Sequence, residues 1–225
     1  MTVWNDFLAH TLADKQAQDN ERSLTPMARD GLYAEVNGQR LLNLAGNDYL
    51  ALGTRSDWQR EFGQQLKAQG QYWSSSSSQL LTGHSPLHQQ VEATLARLFQ
   101  REAALTFASG YQMNFGLLNA LSMGKVLILA DKLVHASMVD GLLISKATFL
   151  RYRHNDMAHL HALLYQHHAA FERIIIVTES VFSMDGDIAD LQQLVAFKRE
   201  FANVALYVDE AHAIGVRGES GLGCA

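Results

Sequence analysis

Five short segments of this chain carry side chains able to hold an anion or move a proton. Ser109-Gly110-Tyr111 is a small-residue turn followed by Asn114. At the start of a helix such a turn offers free backbone N–H groups to an anion. Asp131-Lys132-Leu133-Val134-His135 places an acid, an amine and an imidazole within five residues. Arg153-His154-Asn155-Asp156 offers a similar set. Glu179-Ser180-Val181-Phe182-Ser183-Met184-Asp185-Gly186-Asp187 mixes carboxylates and hydroxyls around an Asp-Gly pair, and Asp209-Glu210-Ala211-His212 sets a carboxylate three residues before an imidazole. Taken singly, each also has a structural reading: a helix cap at Ser109, a hydrogen-bonded histidine, a tight turn at Ser183–Asp187, a bridging Asp209.

The five segments share a position, each directly after an apolar run. The expected strands are Ala104–Phe107, Val126–Ala130, Thr148–Tyr152, Arg173–Glu179 and Ala205–Asp209. Helical periodicity falls between them, over 112–123, 136–144, Met157–His167 and Leu191–Phe201. Short, nearly all-apolar strands alternating with helices predict an α/β fold, a mostly parallel sheet covered by helices on both faces with right-handed crossovers. Ligands of such sheets bind at the carboxyl ends of the strands. The five segments therefore belong to one rim. Upstream, residues 5–21 read as an amphipathic helix with Phe7, Leu8 and Leu12 on its apolar stripe. Asn37-Gly38 between Leu32–Val36 and Leu41–Leu44 signals a hairpin. Helices are expected over 56–69 and 86–99, with Pro86 at the start of the second and a serine loop, Ser74–Ser78, between them. The organisation expected is an N-terminal helix-and-hairpin arm, 1–45, and a large domain, 46–225, incomplete at its C-terminus.

Composition narrows the function. The chain has 225 residues, with 18 basic against 23 acidic side chains and a net charge of −5. That is the wrong sign for the broad basic field of a nucleic-acid binder. Cys224 is the one cysteine and forms no internal disulfide, as in a reducing compartment. No apolar stretch approaches the ~20 residues of a bilayer span. Thr2-Val3-Trp4-Asn5-Asp6 lacks the basic head of a secretory signal. The expectation is a cytoplasmic protein with no membrane or nucleic-acid partner. Val208-Asp209-Glu210-Ala211-His212 resembles a helicase box, but its phosphate loop is missing: the only Gly-Lys pair, Gly124-Lys125, is followed by Val126, and Asn119 stands where the first glycine belongs. Gly83-His84-Ser85-Pro86-Leu87 falls one glycine short of a nucleophile elbow. His159, His161, His167 and His168 lack an acidic partner at ligand spacing, so no metal is expected.

Asn47-Asp48-Tyr49-Leu50, Ser109-Gly110-Tyr111-x-x-Asn114, His135-Ala136-Ser137, His154-Asn155-Asp156, Thr178–Asp187 and Val208–His212, in this order and spacing, resemble the α-oxoamine synthases. These are fold-type I transferases that use pyridoxal 5′-phosphate (PLP), and the likeness spans nearly the whole chain. The resemblance implies roles. Asp209 would keep the pyridine nitrogen protonated, and His135 would stack on the ring and touch substrate. Ser183 and His212 would reach its phenolic oxygen, Gly110 and Tyr111 would hold the phosphate through backbone N–H groups, and Arg22 would bind a substrate carboxylate. Catalysis would rest on His135, Asp209 and His212. The implied reaction is an acyl transfer: decarboxylative condensation of L-alanine with a pimeloyl thioester, CoA- or carrier-protein-bound, in biotin synthesis. Gly83-His84-Ser85-x-x-His88 favours this branch; glycine or serine as the amino acid, a helicase-like nucleotide module and a non-catalytic binding fragment are the rivals. A homodimer with sites shared between subunits is also implied. Two departures stand out: Ser74–Ser78 replaces a glycine-rich stretch, and Ala213-Ile214 replaces a Gly-Thr pair. The family's cofactor-linking lysine lies on the strand after Asp-x-Ala-His, here beyond residue 225, as does the C-terminal small domain; Lys125, Lys132, Lys146 and Lys198 match no such position. Borohydride reduction of this chain after exposure to PLP should therefore label no single lysine stoichiometrically; one uniquely modified lysine on a peptide map would place the chemistry elsewhere.

Overall fold

Thr2 opens the first helix, α1 (Val3–Ala17), by accepting the Asn5 N–H at 3.4 Å, with Asp6 in the first turn and Lys15 in the last. The computed structural model describes residues 2–71 and 74–225. The chain divides into two units, one up to Ser56 and one from Asp57 onward, where the sequence suggested a division after residue 45. In the first unit the helix forms as expected but its stripe is uncovered: Phe7, Leu8 and Leu12 are all more than half exposed. Strands β1 (Ala28–Asp30), β2 (Tyr33–Val36) and β3 (Gln39–Leu42) form an antiparallel meander. Asn37 and Gly38 both adopt positive φ, 50° and 77°, which a two-residue turn of matching twist requires. That turn sets Gln39 opposite Val36, so β3 begins two residues before the expected Leu41.

The second unit opens with α2 (Ser56–Ala68) and α3 (Pro86–Leu98). Ser85 and His88 form a capping box at the head of α3, with Ser85 N–H 3.2 Å from His88 Nδ1. Ser85 thus serves as a helix cap. Gly83 just before it allows no side chain, because a Cβ there would lie 1.9 Å from the Ser77 carbonyl oxygen.

Four parallel strands follow: β4 (Val126–Asp131), β5 (Thr148–Tyr152), β6 (Arg173–Glu179) and β7 (Val204–Asp209), in the order β5-β4-β6-β7. Helices α4 (Gly110–Leu121), α5 (Ala136–Ile144), α6 (Met157–His167) and α7 (Leu191–Glu200) cover them. Alternation along the strands builds two cores. Leu127, Leu129, Ile174 and Ile176 pack with Leu160 and Leu164 of α6 and Leu194 and Phe197 of α7. Ile128, Ala130, Ile175 and Val177 pack with Leu118 of α4 and Met138 and Leu142 of α5. Each aliphatic side chain so buried contributes about 1.5–3 kcal/mol. Among the described residues no helix is long and apolar enough to cross a membrane.

The expected strand Ala104–Phe107 does not form. The Thr106 N–H and hydroxyl both go to Glu92 Oε1 of α3, at 2.9 and 2.8 Å, in place of a ladder. Leu105 is left 63% exposed.

The rim of the sheet is tied by one histidine. His154, after β5, sets Nδ1 2.9 Å from Asp131 Oδ1 at the end of β4 and Nε2 2.7 Å from Asp187 Oδ2 in the turn after β6. Asp131 is fully buried and also accepts the Leu133 and Asn155 N–H groups. Burial alone would lower the His154 pKa; the hydrogen bonds to Asp131 and Asp187 and their charges outweigh it and raise it. A histidine whose folded pKa is raised stabilises the fold fully below its unfolded value near 6.5, and that contribution fades as pH climbs through the raised value. Urea midpoints should accordingly fall as pH rises from about 6.5 through the raised value, and His154→Gln should flatten the fall. At about pH 6, His154→Ala should cost about 3 kcal/mol by leaving the Asp131 carboxylate without its counter-charge. Equal pH slopes in wild type and His154→Gln would refute the assignment.

Candidate active site

Three structural positions converge beside the carboxyl ends of β6 and β7. The first is the N-terminus of α4, where Ser109 Oγ accepts the Gln112 N–H at 3.2 Å. The N–H groups of Gly110 and Tyr111 at this helix start have no intrahelical acceptor. The second is His135, which caps α5 by accepting the Ser137 N–H on Nδ1 at 3.2 Å. The third is Asp209, last residue of β7, whose Oδ1 accepts the Ala211 N–H at 2.9 Å. They line a pocket of about 140 Å³ together with Asn114, Ser137, Glu179, Ala211 and His212.

Of the residues singled out in the sequence, Gly110, Tyr111, His135, Asp209 and His212 meet at this pocket. Ser183 is not among its lining residues: its side chain is exposed on the turn closed by the Gly186 N–H to the Phe182 carbonyl, 2.9 Å. Arg22 belongs to the first unit and is exposed on the stretch after α1. The Arg153–Asp156 segment serves the His154 tie and local bonds, and the Glu179–Asp187 segment is divided, with Glu179 lining the pocket and Asp187 joining the tie; His159, one of the clustered histidines, accepts the Arg153 N–H at 3.0 Å. Among the described residues no group of three His, Cys, Asp or Glu side chains is placed to hold a metal.

Polar groups behind the pocket carry as much of its organisation as those lining it. Asn114, 2% exposed, donates from Nδ2 to Asp209 Oδ2 and to Ser137 Oγ, both at 3.0 Å. The Tyr207 hydroxyl donates to Asn114 Oδ1 at 2.6 Å. Burial, with the Asp209 charge, pushes the Tyr207 pKa up to about 12. Tyr111 donates its hydroxyl to the Asp140 carboxylate, which raises its own pKa. Tyr207 carried no sequence signal beyond an aromatic in a strand. Asn114 and Glu179 were visible within their motifs but without partners.

Glu179 is 4% exposed and accepts the His135 N–H on Oε1 at 2.6 Å. Burial raises its pKa, the His135 N–H opposes that, and the Asp209 charge adds to the rise. Because the folded state binds this proton more tightly, stability declines as pH rises from the ordinary glutamate value to the raised one. Glu179→Gln keeps an acceptor for the His135 N–H and should remove this decline. Glu179→Ala should cost about 1–3 kcal/mol through the buried N–H it leaves unpaired. Urea unfolding of both variants at neutral pH checks this ordering, which fails if Gln is as damaging as Ala.

Comparison with known proteins agrees with this architecture. A Neisseria gonorrhoeae protein provisionally named 8-amino-7-oxononanoate synthase is 52% identical over 209 residues, 93% of this chain and 55% of that protein. The chain thus spans about half the length of this relative. Serine palmitoyltransferase from S. paucimobilis, solved with a bound PLP–myriocin compound, aligns over 99% of this chain and 58% of its own with a TM-score of 0.84 and 25% identity. An 8-amino-7-oxononanoate synthase from Francisella tularensis aligns over 80% and 48%, with a TM-score of 0.59 and 29% identity. The aminotransferase class I and II family model matches residues 39–223, a stretch that contains every strand of the parallel sheet and every residue of the pocket, and the chain belongs to that family.

Proposed function

We propose that this chain is the PLP-binding part of an α-oxoamine synthase that condenses L-alanine with a pimeloyl thioester, CoA- or carrier-protein-bound, releasing CO₂ and 8-amino-7-oxononanoate. The observation that carries the reading is the donor set of the pocket: a carboxylate, an imidazole and a helix N-terminus around one small cavity. The three match the parts of PLP, a basic ring nitrogen, a flat ring and a phosphate. When bound, PLP supplies an electron sink for charge developing at the amino-acid α-carbon.

The chain's own residues do the rest. Asp209 holds a proton at the pyridine nitrogen, a charge-assisted bond worth roughly 1.5–3 kcal/mol. Its Oδ1 and Oδ2 are already oriented by the Ala211 N–H and the Asn114 amide. The α4 N-terminus binds the phosphate through the Gly110 and Tyr111 N–H groups. His135 covers a ring face, with its backbone pinned by Glu179. His212 serves the phenolic oxygen, and Arg22 serves a substrate carboxylate, which its planar fork suits. The working enzyme is a cytoplasmic homodimer, with Ser74–Ser78 of one subunit serving the phosphate of the other.

Serine palmitoyltransferase among the similar structures points to serine as the competing amino acid. The 52% identity to an 8-amino-7-oxononanoate synthase-named relative, about twice that to the palmitoyltransferase, favours alanine. The test is turnover by the complete protein supplied with PLP, a pimeloyl thioester and L-alanine, L-serine or glycine in turn, with product mass read directly. Alanine should give the highest kcat/KM. Asp209→Asn should keep the fold and lower kcat by about 100-fold or more, the equivalent of roughly 3 kcal/mol. Near-normal turnover in that variant removes Asp209 from its role, and faster turnover of serine or glycine reassigns the substrate.

A further inference from the structure

We propose that Asn114 is a positioning residue that couples the two sides of the pocket: a single side-chain amide orients the Asp209 carboxylate and, through the Ser137 hydroxyl, joins the Ser137 N–H in setting which nitrogen of His135 carries the ring proton. The consequence for the cofactor rests on the reading above; the coupling itself is a property of this chain alone.

The argument follows the polarity of each hydrogen bond. Asn114 Nδ2 has two N–H bonds and spends one on Asp209 Oδ2 and one on Ser137 Oγ, each at 3.0 Å. Its Oδ1 faces the Tyr207 hydroxyl at 2.6 Å. A carboxylate only accepts, and a phenol kept protonated by burial donates. Both partners therefore demand the same orientation of the amide, and a flipped amide would set its oxygen against Asp209. Ser137 Oγ, already accepting from Asn114, turns its own hydrogen to His135 Nδ1, 2.8 Å away. The Ser137 backbone N–H points at the same nitrogen from 3.2 Å. A ring nitrogen receiving two donors has no proton of its own. The neutral His135 ring consequently carries its hydrogen on Nε2, and enters the chemistry as an N–H donor from that nitrogen.

The packing supports so short a span between helices. Gly141 of α5 lies against α4, where a Cβ would meet the Asn114 carbonyl oxygen at 2.9 Å and the Phe115 Cα at 3.2 Å. A side chain at 141 would push α5 off α4 and stretch the Asn114–Ser137 bond. The Asn114 end of the network is shielded: Asn114 and Ser137 are nearly fully buried and Tyr207 and Asp209 are partly so, while His135 at the other end is exposed. Water cannot readily replace a lost partner there.

The test uses the 225-residue chain labelled with ¹⁵N-histidine and two-bond ¹H–¹⁵N correlation in alkaline buffer, without cofactor. Wild-type His135 should show the Nε2–H form. Asn114→Leu, close in volume and unable to hydrogen-bond, frees Ser137 to accept from Nδ1, and the Nδ1–H form should rise by about fivefold, one hydrogen bond's worth. Ser137→Ala removes the relaying hydroxyl and should shift the ratio the same way; it decides the matter if Asn114→Leu fails to fold. A wild-type ring with its proton on Nδ1 overturns the proposal, as does a wild-type tautomer ratio in the folded variants. PLP titration of the complete protein separates this from the functional reading. If the tautomer shifts while the complete wild-type protein shows no affinity for PLP, the coupling stands and the cofactor assignment falls. If PLP binds and the tautomer does not move, the reverse holds.

Discussion

A parallel strand sealed on both faces has no water for its backbone, and this constraint organises the second unit. β4 and β6 are apolar almost throughout and flanked by strands on either side, so their N–H and C=O groups are satisfied within the sheet. Side chains leave alternately toward α6 and α7 on one face and α4 and α5 on the other. Each strand must then return over the sheet through a helix in the same sense. All carboxyl ends emerge on one edge, and whatever chemistry the chain does is gathered there.

Polar groups at that edge are buried enough to be costly if left alone. Asp131, Glu179, Ser137 and Asn114 are all nearly inaccessible, yet each finds a partner: Asp131 takes His154 and two backbone N–H groups, Glu179 takes the His135 N–H, and Asn114 serves three side chains. The rim is thus held by two separate polar clusters. One, around His154, joins the ends of β4 and β5 to the turn after β6. The other, around Asn114, joins α4, α5 and β7. The pocket lies with the second, which explains why some motif histidines line it and others do not.

Much of this was legible before the structure. The short, nearly all-apolar runs located β4 to β7 within a residue or so, most plainly β4 and β6, because a doubly buried strand tolerates little else. Asn37-Gly38 located the hairpin, because both residues accept positive φ. The motifs after the strands located His135, Asp209 and His212 of the pocket, because parallel topology leaves the carboxyl ends only one edge to share; Gly110 and Tyr111 reach it from the start of α4, without the strand expected before them. Ala104–Phe107 was misread for a local reason: its apolar character suits a strand, but Glu92, fourteen residues earlier, captures the Thr106 N–H and hydroxyl. The stripe of α1 was read correctly as a pattern, and the pattern says nothing about what covers it.

The amino-acid sequence by itself determined the fold class, the four strands of the parallel sheet with the helices between them, and the family, since these follow from periodicity and from motifs that are local along the chain. Tertiary structure alone decided which side chains meet. Asn114 reaches Asp209 across 95 residues of chain and Tyr207 across 93, and His135 meets Glu179 across 44. No local pattern encodes such pairings. Hydrogen bonds act only within about 3 Å and along fixed directions, so the partner of a buried polar group is settled by how helices and strands pack. The direction in which Asn114 points its amide, and through it the state of the pocket, exists only once α4, α5 and β7 are in contact.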